Sequence, residues 1–163
     1  MDAAPKLLLN LIDEGFDHVS WHGTTLFGSL RGIGAAQAAR RPSPRRHNIW
    51  ELAVHAAYWK YAVRRRLTGE KRGSFAYTGS NWFLRPSQGA DRGRAWKADR
   101  RLLVDEHRRL REAIARLTPR DLKRPIVGKR YSVAYLIRGI AAHDLYHAGQ
   151  IQLLKKLTGA QRT

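Results

Sequence analysis

The sequence predicts an all-α fold, a four-helix bundle, and three observations carry that reading. Apolar residues recur in steps of three and four over four long segments, which places them on one face of a helix. Cap and stop residues bound those segments. At 163 residues the chain suits a single domain, 1–163, with a substantial core. Loops of unequal length between the segments favour a crossover connection over a simple up-down series.

In the first segment Leu7, Leu8, Leu11, Ile12 and Phe16 give an apolar face. Trp21-His22-Gly23-Thr24-Thr25 breaks it, with Gly23 as the bend and Thr24 as a cap, before Leu26, Phe27 and Leu30 resume. Ala35 to Ala39 reads as a short helical turn, and Arg41-Pro42-Ser43-Pro44 as a loop. Asn48 opens the second helix, with Glu51 three residues on in the capping-box position. Its inward stripe is Leu52, His55, Trp59, Val63 and Leu67, and Thr68-Gly69 stops it.

Residues 70–93 form a long connection. Phe75, Tyr77, Trp82 and Phe83 are too apolar for a free linker, so this stretch is expected to pack across the bundle. The third helix, 94–117, turns Trp96, Leu103, Leu110, Ile114 and Leu117 inward, and Thr118-Pro119 ends it. A turn-rich stretch follows, with an extended piece at Pro125-Ile126-Val127. Ser132 caps the last helix, whose stripe is Leu136, Ile140, His143, His147, Ile151 and Leu154.

Composition excludes several classes. There is no cysteine, hence no disulfide, thiolate ligand or cysteine nucleophile. No apolar run approaches a membrane span and no signal-peptide pattern is present, so a soluble cytoplasmic protein is expected. The net charge of +18 favours attraction to nucleic acid or acidic surfaces. The cations are nevertheless scattered through every segment, among them Arg100, Arg101, Arg108, Arg109, Arg111 and Arg116. A solvated basic surface is therefore preferred, with a nucleic-acid-binding or stress-associated interaction role as the alternative.

Two imidazoles one turn apart interrupt the apolar stripe of the last helix. An unsatisfied buried polar group costs roughly 1–3 kcal/mol, so each ring needs a partner. Histidines at i and i+4 can point at one ion. His55, central to another inward stripe, completes a candidate triad with His143 and His147. Three neutral imidazoles suit zinc, nickel, copper or ferrous iron and leave a position open for water or substrate, as catalytic sites do. Glu51, one turn before His55, is a candidate acceptor for its ring, and Gln150 a candidate beside the open position. His22 is placed at the pocket wall. His18 and His22 share the four-residue spacing but flank a break, while His47 and His107 read as surface.

At these residues the chain resembles the DinB-like (YfiT-like) superfamily. The segments from His47 to His55 and from His143 to Gln150 look like its two signature stretches, and Trp82 with the 96–117 helix fits a third. The resemblance implies an up-down-down-up bundle, frequently homodimeric, binding a divalent metal (zinc or nickel, with iron or manganese as further candidates) through His55, His143 and His147. It further implies S-transfer on a small molecule with a low-molecular-weight thiol held as thiolate; the open metal position alone equally suits hydrolysis by a metal-activated water.

Overall fold

The structure, a computed structural model, describes residues 2–159. The helices are α1 Ala3–Phe16, α2 Leu26–Ser29, α3 Ala35–Ala39, α4 Ile49–Thr68, α5 Arg92–Ala115, α6 Pro119–Lys123 and α7 Val133–Gly159. Among the described residues there is no strand; an isolated antiparallel bridge joins Pro125 to Ser132 where an extended piece was expected. The fold is all-α.

Residue pairings fix how the long helices run. On α4, Trp50 meets Asp99 and Arg64 meets Glu106, so α4 and α5 point the same way. Lys60 pairs with Asp144 while His55, nearer the start of α4, reaches His147, nearer the end of α7, so these two helices oppose each other. On α1, Gly15 lies against the carbonyl of Ala141: a Cβ there would sit 3.3 Å from that oxygen, so the residue without one permits the close approach.

Asn48 caps α4 by accepting from the backbone N–H of Glu51, and Gly69, at φ 77°, ends the helix in the left-handed conformation. Only half of the expected capping box forms, because Arg41 and His47 both hold the Glu51 carboxylate. Thr25, not Thr24, caps α2. Thr118-Pro119 ends one helix and opens another, with a complete capping box between Thr118 and Asp121.

Two apolar clusters fill the bundle. One gathers Phe16, Leu26, Trp50, Trp96, Leu103 and Ile151; the other Leu9, Ile12, Val63, Leu110, Ile114 and Ile137. The face of α1 is rotated from the sequence reading, with Leu8 and Leu9 buried and Leu7 69% exposed. Buried ionic groups sit in the core as well. Lys60 and Asp144 form a fully buried pair, and Lys60 lies 4.8 Å from the centre of the Phe16 ring. His107, read as surface, is instead buried: it stacks on Phe16 at 3.8 Å and lies 3.3 Å from the Asp13 carboxylate.

The long connection packs across the bundle as its aromatic content requires. Phe83 is buried, and Phe75 and Tyr77 lie partly buried against the core. Asp99 clamps it, accepting from Tyr77 Oη, from Arg85 Nε at 2.8 Å and from Trp50 Nε1 at 2.6 Å.

Candidate metal centre

His55 projects from α4, and His143 and His147 from α7, because all three occupy inward positions of opposed helices. The structure brings the rings together: Nε2 of His143 lies 3.1 Å from Nε2 of His55 and 3.1 Å from Nε2 of His147. One nitrogen from each ring lies within 4.8 Å of the others. Two imidazole nitrogens bound to one tetrahedral zinc at about 2.0–2.1 Å stand roughly 3.3 Å apart, so the observed spacing matches a shared ion.

The far side of each ring determines what the converging side offers. Nδ1 of His55 donates to the backbone carbonyl of Asn81 at 2.8 Å. A carbonyl only accepts, so that nitrogen holds the ring proton and Nε2 keeps its lone pair. Nδ1 of His147 donates in the same way to Oε1 of Gln150 at 2.7 Å. His143 Nε2 therefore faces two lone pairs, and a single N–H there would satisfy only one of them. A cation at the centre satisfies all three rings, which is what the donor set fits.

Electrostatics keep the rings in the coordinating form. Burial pushes His55 down to about 4, only partly countered by the Asn81 carbonyl. Burial, reinforced by His147, His55 and Lys60, pushes His143 down to about 3. His147 is lowered by burial against the opposing effect of Gln150. At neutral pH all three are uncharged imidazoles.

Trp82 covers the site. Its ring stacks on His55 at 3.9 Å, and His47 stacks on Trp82 at 3.6 Å. Next to it, Asn81 adopts φ 68° and accepts from Trp59 Nε1 at 2.9 Å through its side chain. Two clefts open beside the rings. One, about 320 Å³, reaches His147 past Arg46, His47, Trp82, Tyr146 and Gln150. The other, about 190 Å³, reaches His143 past Trp59, Val63, Leu136 and Ile140.

The remaining expected residues divide. Gln150 lies in the site, bonded to His147. Glu51 does not serve His55, since its buried carboxylate is taken up by Arg41 and His47. His22 is exposed and lines neither cleft. Asn81, the ring acceptor actually used, is not legible in the sequence: a carbonyl contact 26 residues from His55 leaves no mark in side-chain spacing.

The model of a family described as the DinB superfamily matches residues 18–151, a span that includes all three histidines. No curated protein and no solved structure matches the chain.

Proposed function

The chain belongs to the DinB superfamily, and from that premise we propose that it is a metal-dependent enzyme holding a divalent ion, zinc or nickel, on Nε2 of His55, His143 and His147. The observation that carries the proposal is the convergence of three neutral, lone-pair-bearing nitrogens with 3.1 Å between neighbours. Three borderline nitrogen donors suit such ions and leave coordination positions for a small molecule. When bound, the ion supplies Lewis-acid polarisation. The protein's own part is to fix the rings through Asn81 and Gln150 and to shield one side with Trp82.

The reaction class that fits is group transfer on a small molecule, of the thiol S-transferase or hydrolase type. The clefts beside His143 and His147 give substrate two approaches. A nucleic-acid role gains less support, because exposed cations are distributed over three helices rather than gathered on one: Lys6 on α1, Lys97 and Arg108 on α5, Arg138 and Lys156 on α7.

The decisive experiment is zinc or nickel loading followed by elemental analysis. Wild-type protein should retain one ion per chain. His147→Ala should lose it while keeping its helical circular-dichroism spectrum. Equal metal content in the two proteins would refute the proposed ligand set.

A further inference from the structure

The two clefts reach different rings of the trio, His143 for the smaller and His147 for the larger, and differ in chemistry. The smaller is walled by Trp59, Val63, Tyr131, Tyr135, Leu136 and Ile140 together with His143, and no charged side chain lines it. The larger, on the His147 side, sets the Arg46 guanidinium, the His47 ring and the Gln150 amide among the apolar side chains of Leu52, Trp82, Leu153 and Leu154. Adjacent loop residues bear on both: Trp82 walls the larger cleft, and Asn81 holds Trp59, which walls the smaller.

Size narrows what the smaller cleft can hold. An apolar cavity of about 150 Å³ accommodates a benzene-sized ring, and this cleft measures about 190 Å³. The match in volume is to a single ring. An ionised group there would lose its hydration without a partner, which the walls cannot compensate. The larger cleft, at about 320 Å³, offers a cation and hydrogen-bonding groups, which favour an anion.

We propose that the substrate site is two-sided: the apolar cleft beside His143 receives an uncharged aromatic ring, or an apolar group of that size, and the cleft beside His147 receives a group whose anionic end meets Arg46. This rests on the metal reading above, because His143, which lines one cleft, and His147, which lines the other, stand 3.1 Å apart at Nε2. It extends that reading by naming the chemistry on each side. Reacting groups bound from opposite sides are brought together at the histidines, the positioning that lowers the entropic part of a bimolecular barrier.

Gly139 supplies the test. It lines the apolar cleft, and a Cβ added there meets nothing within 4 Å. Gly139→Leu should therefore fold, aided by better helix propensity, while its side chain fills the space the ring needs. With zinc-loaded protein, phenylmethanethiol and 2-sulfanylethanesulfonate are titrated by calorimetry. Gly139→Leu should weaken the aromatic thiol by roughly tenfold or more and leave the sulfonate within about twofold; Arg46→Gln should do the reverse. All variants should retain their zinc. If Gly139→Leu binds phenylmethanethiol as tightly as wild type, the proposal is overturned and the metal reading stands.

A second measurement needs no metal. Toluene added to zinc-free protein should shift the methyl resonances of Val63, Leu136 and Ile140 and spare those of Leu153. Absence of those shifts would overturn the two-sided site whatever the zinc content. Loss of zinc binding with the shifts intact would refute the metal reading alone.

Discussion

The backbone carbonyl of Asn81 accepts the Nδ1 proton of His55 at 2.8 Å, and the Asn81 side chain accepts from Trp59 at 2.9 Å. One loop residue thus fixes a candidate ligand and a wall of the apolar cleft together. It does so at φ 68°, in the left-handed region that asparagine tolerates better than most residues.

Substitution at that position should separate the two roles. Asn81→Gly keeps the carbonyl and the backbone conformation, so zinc affinity should stay within a few-fold of wild type. Asn81→Val strains the backbone and displaces the carbonyl, and should weaken zinc by about tenfold or more, as loss of a ligand's outer partner does. Competition against a chelating dye measures both.

Asp99, 1% exposed, accepts from Trp50, Tyr77 and Arg85 and so ties the long connection to α4 and α5. Asp99→Ala leaves a partly buried guanidinium and two donors without their acceptor and should cost about 2–3 kcal/mol. Asp99→Asn keeps one acceptor and should cost less. Urea unfolding curves give the comparison.

Lys60 and Asp144 form an ion pair with both side chains 1% exposed. Either partner removed alone strands a charge in the core, so Lys60→Met and Asp144→Leu should each cost about 3–5 kcal/mol; the double variant should lie within roughly 1 kcal/mol of wild type. A double variant as unstable as the sum of the singles would show that the pair does more than neutralise itself.

Acid should destabilise the metal-free protein. The unfolded histidines titrate near 6.5, whereas folded His55 and His143 do so at about 4 and about 3, and burial lowers His147 and His107 as well. Between those limits the unfolded chain binds more protons, so stability is full above 6.5 and drains as pH falls towards 4 and 3. Asp144 acts oppositely: burial raises it to about 6, which favours the folded state as pH falls from 6 towards 3.8. Four lowered imidazoles outweigh one raised carboxyl. The urea midpoint should therefore drop steadily from pH 7.5 to 4.5; a midpoint that rises on acidification would contradict this.

The same shifts govern metal uptake. At pH 6 three ordinary imidazoles would release about two protons on binding one ion. His55 and His143 are already neutral there, and burial lowers His147 as well, so calorimetry in buffers of different ionisation enthalpy should find well under two released from the ligands.

What could be read from the chain alone follows from how far apart the interacting residues lie. His143 and His147 stand out because helical spacing is local, and His55 because it interrupts an otherwise apolar stripe. Lys60 and Asp144 do not, since they are 84 residues apart and each passes for a solvated position. His107 sits among arginines and glutamates, and its burial depends on Phe16 and Asp13 from α1. The run Leu7-Leu8-Leu9 is apolar at every position, so spacing leaves its rotational phase undetermined, and packing chose Leu8 and Leu9. Glu51 occupies a capping-box position, yet Arg41 and His47 compete more strongly for its charge.

Neighbouring helices that point the same way, as α4 and α5 do, cannot be joined by a tight hairpin. The 20 residues of α4 rise about 30 Å, and the chain must retrace that distance before α5 begins. On this return journey it passes the middle of the bundle, and there it lays Asn81 and Trp82 over the three histidines. Shortening the crossing to tidy the fold would strip away the roof along with the slack.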